Sequence, residues 1–231
     1  MKLIDNPRHL DSIDATDSMY PTIATWIEQP ISELSQRCST IFGYVIGGEC
    51  TIAANGQMWS LLSGNYFAFT GEISVVSCKP AERPFRMWTV ERLGYQGIPM
   101  MGQVEQRGRL SYIDGCSDSI LVPMPRKGDP VLNYLHFPSG VIQTQHTHPS
   151  IRMGLVIKGV GEAWQEKSNF NDGWVKPLMT GAMFMLEEQE LHSFRTSADM
   201  MDVIAYHPDS DTGPTDEDHA MLNKTYINHG K

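Results

Sequence analysis

The chain has 231 residues, of which 41% are hydrophobic and 19% are charged, and its formal net charge is −9 at pH 7. The hydrophobic content suffices for a core, and the low charge content argues against a disordered chain. The negative charge excludes an electrostatic basis for nucleic-acid binding. No apolar run approaches the roughly 20 residues of a membrane-spanning helix, so we expect no membrane partner.

The first residues, MKLIDNPRHLDSID, lack the apolar segment of a secretion signal. The cysteines are widely spaced and form no C-x-x-C pair; they are Cys38, Cys50, Cys78 and Cys116. Such cysteines are typical of reduced, mostly buried thiols. We therefore predict a cytoplasmic protein.

The stretch 17–36, DSMYPTIATWIEQPISELSQ, is the best candidate for an amphipathic helix, although Pro21 and Pro30 interrupt it. Elsewhere helical periodicity is scarce. Frequent glycine and proline between short apolar runs favour strands and turns. The sequence therefore predicts an all-β fold.

Two segments predict β-hairpins. In FGYVIGGECTIAANGQMWSLL, Asn55 and Gly56 separate two alternating runs, which is a strong hairpin signal. Residues 155–178, LVIKGVGEAWQEKSNFNDGWVKPL, repeat this pattern with a longer loop that ends in Asn171, Asp172 and Gly173.

The two hairpins suggest an internal repeat. Residues 45–48 match residues 156–159 at an offset of 111 positions, and residues 63–69 match residues 180–186 at an offset of 117. The longer second loop accounts for the difference. We predict two copies of one β unit at 35–115 and 120–208, with an N-terminal extension over 1–34 and a C-terminal tail over 209–231. One large β-sandwich is the alternative.

Three histidines form a candidate metal site. His146 and His148 are two positions apart, so on a strand their side chains point to one face. Neutral imidazole is a ligand for zinc, copper, iron and nickel. His192, in GAMFMLEEQELHSF, is the candidate third ligand. The alternative is a pair of surface histidines beside a turn.

The spacing of the first two histidines resembles the first motif of the cupin superfamily, G-x5-H-x-H-x3/4-E-x6-G. The matching residues are Gly140, His146, His148 and Gly159. Arg152 stands where that motif has glutamate.

The third histidine resembles the second cupin motif, G-x5-P-x-G-x2-H-x3-N. Gly181 and His192 match it, whereas Glu187, Gln189 and Thr196 stand at the positions of its proline, second glycine and asparagine. The glycines and histidines of a cupin metal site are thus present, and other motif positions depart.

The resemblance implies a bicupin, with two small antiparallel barrels of the jelly-roll or double-stranded β-helix type. In the first copy, the offsets place Ser35, Arg37 and Val75 at the positions of the three histidines. We therefore expect one divalent transition metal per chain, in the C-terminal barrel. Fe(II) is favoured, with zinc, manganese and nickel as alternatives. A homodimer is expected from the commonness of two-fold assemblies.

Arg152 cannot replace the glutamate as a ligand, because its guanidinium stays protonated. One interpretation is a structural ion pair with a protein carboxylate, or a side chain that turns outward; the candidate partners are Glu162, Glu187, Glu188 and Glu190. Another is recognition of an anionic substrate through its planar fork. A glutamate that enters from elsewhere as a fourth ligand is the third.

Other residues near the motifs are candidates for substrate contact. Tyr134 and His136 share one face of the strand that enters the first motif, and they contact substrate if that face lines the barrel. A hydrogen-bonded pair in the core or at the surface is the alternative. Trp164 is either a substrate platform or a core residue. Gln143 and Gln145 have the opposite parity to the first metal histidine, so we expect them to point away from the metal.

Three protein ligands leave open coordination positions, which is typical of a catalytic site. The resemblance extends to cupin dioxygenases that hold iron with three histidines. It implies an Fe(II) dioxygenase, an oxidoreductase acting on a small anionic organic substrate, with the metal as template and Lewis acid. The alternatives are a metal-dependent isomerase, lyase or decarboxylase, and a cupin that binds a small ligand without catalysis.

Overall fold

The structure is a computed structural model, and it describes residues 1–35, 38–81, 83–106, 108–168, 172–215 and 226. Within these residues the chain forms strands, turns and one 3-10 helix, Ile113–Gly115. The described part of the chain contains no helix with the length and apolar character that a membrane crossing requires. The predicted all-β fold is confirmed.

The strands of the first part of the chain are β1 Lys2–Ile4, β2 Ser12–Ala15, β3 Thr22–Ile27, β4 Ile31–Ser35, β5 Ser39–Gly47, β6 Glu49–Ala54, β7 Gln57–Leu62, β8 Asn65–Thr70, β9 Ile73–Lys79, β10 Arg86–Leu93 and β11 Met100–Gln103. Those of the second part are β12 Leu110–Ser111, β13 Ser117–Val122, β14 Val131–Phe137, β15 Arg152–Gln165, β16 Trp174–Met179, β17 Met183–Leu186, β18 Ser193–Arg195 and β19 Met201–His207.

The helix considered for 17–36 is wrong, because this stretch forms β3 and β4. The first five residues of β3 alternate between buried and half-buried positions, because successive side chains of a strand point to opposite faces. Their threonines and isoleucines are β-branched and favour strands. Gln36 lies outside the described residues.

Two antiparallel sheets have matching strand orders, in which β8, β5, β10, β3 and β2 of one sheet correspond to β17, β15, β19, β14 and β13 of the other. One is β11-β8-β5-β10-β3-β2, and the other follows β1-β17-β15-β19-β14-β13-β12. We call strands β2–β11 the N-terminal half, and β1 with β12–β19 the C-terminal half. The edge beside β8 is covered by β11, whereas the edge beside β17 is covered by β1 from the start of the chain.

A smaller sheet lies in each half. In the N-terminal half its order is β4-β9-β6-β7. In the C-terminal half the long strand β15 continues past the large sheet, and its residues 160–165 pair with β16 and β18. Among the described residues, the strand pairing does not close either half into a continuous barrel. The structure therefore has matched pairs of sheets.

The core has three parts. The central part lies where the two large sheets face each other, and includes Trp26 and Trp88 from one sheet and Tyr134 and Tyr206 from the other. A second apolar cluster belongs to the N-terminal half and a third to the C-terminal half. Both large sheets are thus covered on two faces, which explains why residues of both parities are buried along β5 and β19.

The predicted Asn55-Gly56 hairpin is confirmed. Ala54 pairs with Gln57, and the φ angles of Asn55 and Gly56 are 50° and 74°. Two left-handed residues are what a two-residue hairpin turn requires. The second hairpin joins β15 to β16, and Asn171 of its loop lies outside the described residues.

The two sequence offsets are borne out by matching hydrogen bonds. The N–H of Gly64 donates to the carbonyl of Val45 over 2.8 Å, and the N–H of Gly181 donates to that of Val156 over 2.8 Å. A Cβ at Gly43 would overlap the ring of Phe67, and residues 154 and 184 repeat this contact at the same offsets.

The segment predicted as an N-terminal extension, 1–34, forms β1–β3 and most of β4. It therefore contributes strands to both halves. Of the predicted tail, residues 209–215 and 226 are described, and the other residues of 209–231 lie outside the described ranges.

Candidate metal centre

The structure brings the three predicted histidines together. The nearest ligand atoms of His146, His148 and His192 all lie within 4.8 Å of one another. The centroids of the His146 and His192 rings are 4.5 Å apart, and His148 is 5.1 Å from each. This group could hold a metal ion.

A short antiparallel bridge positions two of these histidines. The N–H of His146 donates to the carbonyl of His192 over 2.9 Å, and the N–H of His192 donates to that of His146 over 3.0 Å. The carbonyl of His148 accepts from the N–H of Gln189 over 2.9 Å. Backbone pairing therefore fixes both motifs against each other.

Hydrogen bonds to carbonyls select the ring tautomer. The Nδ1 of His146 lies 2.8 Å from the Thr144 carbonyl, and the Nδ1 of His192 lies 2.8 Å from the Glu190 carbonyl. A carbonyl only accepts, so Nδ1 carries the hydrogen and Nε2 keeps its lone pair. The Nε2 of His192 is buried with no hydrogen-bond partner among the described residues. A metal ion would satisfy it.

Burial keeps two of the three rings, those of His148 and His192, neutral. Burial and, to a smaller extent, the nearby Arg152 charge lower the pKa of His148 to about 3. Burial also lowers the pKa of His192 to about 4, against the opposing effect of the Glu190 carbonyl. Neutral imidazole is the form that binds metals.

His207 was missed by the sequence analysis. It follows Val203 and Ala205 on one face of β19, and its ring lies 6.2 Å from that of His148. Burial lowers its pKa well below the usual value. The sequence of β19 could have indicated that His207 faces the interior, because the residues two and four positions before it are apolar.

A cavity of about 50 Å³ lies at the histidines. Its apolar walls are Leu135, Phe137, Met153, Phe184, Leu186 and Phe194. A second cavity of about 190 Å³ adjoins it, and both are lined by Asp118, Arg152 and His207. A water molecule occupies about 30 Å³ in the liquid. The inner cavity thus accommodates only a few atoms without the outer one.

A wider groove of about 850 Å³ lies in the N-terminal half, beside Glu33, Asn55 and Glu72. Within the described ranges, none of its residues belongs to a group of three side chains that could hold a metal. Its size therefore does not make it the candidate site.

Arg152 forms the ion pair that was one of its predicted alternatives, with an unexpected partner. Its Nη1 donates to Asp209 over 3.2 Å, and to the carbonyls of Ser150 and Ile151 over 3.2 and 3.0 Å. The side chains of Arg152 and Asp209 are 12% and 14% exposed. Asp209 follows β19, whose pairing with β15 returns the chain to Arg152.

The four glutamates proposed as partners of Arg152 are therefore wrong. Glu162 pairs with Arg195 over 2.6 Å, and Glu190 pairs with the amino group of Met1. Glu187 lies 3.8 Å from Lys2, and Glu188 is exposed. No described glutamate joins the histidine group as a fourth ligand.

Tyr134 and His136 share a face, as predicted, but that face does not line the cavity. Leu135 and Phe137 line it instead. Tyr134 is buried in the central core, and the Nδ1 of His136 lies 2.6 Å from Asp202. Both residues thus lie away from the cavity, as in the alternative, but His136 bonds Asp202 rather than Tyr134.

Trp164 also lies outside the cavity lining. The guanidinium of Arg195 lies 5.1 Å from the centroid of its ring, while the neighbouring Ala163 faces the core. The structure therefore does not bring Trp164 to the three histidines.

The prediction that Gln143 points away from the metal is wrong. Ile142 pairs with Arg195 and His146 pairs with His192. The segment 142–146 therefore contains one residue more than the segment 192–195 that it faces. Such a bulge reverses the parity of side chains. Gln143 consequently lines the cavity together with His146. Gln145 instead donates to the Trp164 carbonyl over 3.3 Å and does not line it.

Comparison with known proteins gives a fold and no family. No protein-family model and no curated protein match the sequence. Among solved structures, protein Ylba from E. coli has a TM-score of 0.66 and 14% identity, over 87% of this chain and 82% of that one.

Two further solved structures are similar. The Cupin 2 conserved barrel domain protein from Leptotrichia buccalis has a TM-score of 0.59 and 12% identity, over 89% of this chain and 95% of that one. Salicylate 1,2-dioxygenase from Pseudaminobacter salicylatoxidans has a TM-score of 0.59 and 11% identity, over 83% and 72%. At these identities the likeness shows the fold alone, and that fold is similar to the fold of cupin domain proteins.

Proposed function

We propose that the chain is a metal-dependent enzyme of the cupin type, in which His146, His148 and His192 hold one divalent transition metal. The observation that carries this proposal is the convergence of three imidazoles beside a cavity, with a buried Nε2 that lacks a partner. Fe(II) is the favoured ion, with zinc, manganese and nickel as alternatives, since imidazole suits all of them.

The proposed reaction is a dioxygenation of a small anionic organic substrate. Three neutral ligands leave the charge of a divalent ion uncompensated, and the Arg152–Asp209 pair beside it has no net charge. The carboxyl group of Asp118 in the cavity wall offsets at most one of the two positive charges. An anionic substrate supplies the missing charge. The small inner cavity and its larger neighbour favour a substrate of few atoms.

The chain's own residues have distinct parts in this proposal. When bound, the metal supplies Lewis-acid chemistry and a template. Phe184 and Phe194 exclude bulk water from the cavity, which strengthens electrostatic contacts inside it. Arg152 lines both cavities, so it would contact a substrate that extends from one cavity into the other.

A metal-dependent isomerase, lyase or decarboxylase is the second candidate. The observation that favours it is Asp118, a carboxyl group in the cavity wall. Reactions that move protons need such a group, whereas oxygen insertion does not require one.

The architecture and assembly proposed from the sequence complete this model. We propose a bicupin with units at 35–115 and 120–208, of which only the second holds metal, and a cytoplasmic homodimer. The shared strand order of the two large sheets supports the bicupin part. The monomer mass of 25.9 kDa gives light scattering a clear reference for the dimer.

Metal content and oxygen uptake test the function. The full chain is loaded anaerobically with Fe(II), analysed for metal, and mixed with small carboxylates and hydroxycarboxylates while dissolved oxygen is recorded. The dioxygenase proposal expects one ion per chain and substrate-dependent oxygen uptake, both lost in His192→Ala. Substrate turnover without oxygen favours the second candidate, and metal binding without any turnover favours a ligand-binding cupin. A chain that retains no metal contradicts all three.

A further inference from the structure

A carboxyl group in the cavity wall is only half satisfied. The Oδ2 of Asp118 accepts from the Nδ2 of Asn133 over 2.9 Å, whereas Oδ1 is buried with no hydrogen-bond partner among the described residues. A buried acceptor without a donor is costly, and more so when it is charged. The structure thus leaves a place for a donor at Oδ1.

Strand register directs this carboxyl group into the cavity. Asp118 on β13 stands opposite Leu135 on β14, and cross-strand partners share a face. Leu135 lines the cavity at the histidines, and Asp118 lines both that cavity and its larger neighbour. A molecule that bridges the two cavities passes Asp118.

The groups that face Asp118 from neighbouring elements do not neutralise it. Arg152 of β15 is engaged by Asp209, and burial keeps His207 of β19 uncharged. Burial, and then the Asp118 charge, raise the pKa of Tyr112 to about 12, so its hydroxyl stays protonated. Asn133 of β14 is neutral.

We propose that Asp118 is a catalytic acid–base residue, and that the substrate carries a hydroxyl or amino group whose proton Oδ1 accepts. The proposal rests on the metal site of the proposed function and applies to either candidate reaction. In the step, the substrate O–H or N–H bond breaks, its electron pair stays on the substrate atom, and an O–H bond forms at Oδ1. The carboxylate becomes neutral as the substrate becomes anionic. The proton returns when the product leaves.

Proton affinity near neutrality suits this role. Burial raises the pKa of Asp118 to about 6, against the hydrogen bonds from Asn133 and the Ser119 backbone. A group with a pKa near the working pH both accepts and returns protons readily. The substrate class is then a small molecule with a proton donor beside its metal-binding atom, such as a hydroxycarboxylate or an amino acid.

Azide tests this inference without knowledge of the substrate. Azide is a small anion without a proton, so it should occupy the site only when Asp118 gains a proton from solution. Calorimetry of the Co(II)-loaded chain, in two buffers with different ionisation enthalpies, counts protons taken up per azide bound. We expect about one proton linked to Asp118 at pH 7.5, and a loss of that uptake at pH 5 where the carboxyl is already neutral.

Two variants complete the test. Asp118→Asn should take up about one proton fewer than the parent chain at pH 7.5. Asp202→Asn, which removes a buried carboxylate that does not line the cavity, should match the parent. Equal uptake in Asp118→Asn and the parent overturns the inference, as does uptake in the parent that is the same at both pH values. The second outcome applies even if the variant fails to fold.

Metal analysis separates this inference from the proposed function. A parent chain that holds no Co(II) overturns both. A loaded chain that binds azide without proton uptake at Asp118 overturns only the inference. A loaded chain that binds no azide overturns the inference as well, because the cavity then lacks an open position for an anion.

Discussion

The two halves of the molecule share a strand order and differ at a few side chains. His146 pairs with His192 in the C-terminal half, whereas Ile31 pairs with Val75 at the equivalent place in the N-terminal half. Val75 is buried in an apolar cluster, and Ile31 packs against it. One framework thus supports either a closed core or a polar cavity.

The strand pairing also corrects the counterparts inferred from the sequence. The offset of 111 points to Ser35 as the counterpart of His146, but Ser35 pairs with Ile73. The offset fails before β5 because the segments that lead into β5 and β15 differ in length. Arg37, the other counterpart inferred, lies outside the described residues.

Arg152 has a counterpart that shows the same contrast. It pairs with Leu186 in β17, and Ile41 pairs with Phe69 in β8 at the same offsets. Ile41 is fully buried in the N-terminal apolar cluster. Histidine and arginine at three positions therefore replace isoleucine and valine, and a cavity takes the place of a packed core.

The largest effect is expected when a histidine of the candidate metal site is replaced by the apolar residue found at the equivalent position of the N-terminal half. His192→Val removes one of three ligands and should weaken metal retention by more than about 100-fold, beyond the usual cost of losing a supporting contact. Metal analysis after dialysis measures it. His207→Gln is the control, since His207 lies beside the group without belonging to it. Full metal occupancy in His192→Val would show that the three histidines are not the site.

A second conversion addresses the ion pair. Arg152→Ile leaves the carboxylate of Asp209 partly buried without its partner, and we expect a loss of about 1–3 kcal/mol in unfolding free energy. Arg152→Ile combined with Asp209→Asn should recover most of that loss, because both partners of the pair are then removed. Urea unfolding of four metal-free proteins, the parent, Arg152→Ile, Asp209→Asn and the double variant, measures the coupling. Losses that simply add would contradict a coupled pair.

The matched glycines sharpen the comparison. Gly43→Ala and Gly154→Ala each force a methyl group against a phenylalanine ring, so both should lower the unfolding free energy by about 1–3 kcal/mol. Only Phe184, the partner of Gly154, lines the cavity. We therefore expect Gly154→Ala to change the azide affinity of the parent chain, and Gly43→Ala to leave that affinity unchanged. Equal azide affinities in the two variants would contradict a site confined to the C-terminal half.

The smallest effect concerns Asp118 and pH. Its folded-state pKa is raised from 3.8 to about 6, so the folded state binds more protons between these values and loses stability as pH rises. Asp118→Asn should therefore gain stability relative to the parent as pH rises from 4 to 7, by about 1–2 kcal/mol after allowance for partial exposure. Thermal unfolding of both metal-free proteins follows this difference, and a difference that does not vary with pH would exclude the carboxyl group as its origin.

The all-β fold was predictable because it depends on local patterns, and the histidine group was predictable because its spacings resemble two known motifs. Turn glycines such as Gly56 mark strand ends, and the spacing of His146 and His148 is set by the backbone over three residues. The offset to Gly181 reflects a hydrogen bond that both copies need. Such signals persist in a single sequence.

The remaining contacts depend on geometry that sequence spacing does not carry. A single bulge reversed the expected direction of Gln143. The face chosen by Tyr134 depends on the second large sheet, which covers that side of β14. Asp209 meets Arg152 only because β19 returns the chain to β15. Each of these outcomes follows from long-range packing.

The position of β1 has a consequence for how the chain can be divided. Lys2–Ile4 pair with Met183–Met185, so the first strand of the sequence completes a sheet whose other members begin after residue 109. A fragment that starts at residue 120 would expose the edge of β17, and exposed edges recruit other chains. The halves are therefore interlocked, and a shortened protein designed around the histidines needs β1 attached, for example through a linker at the new end of the chain.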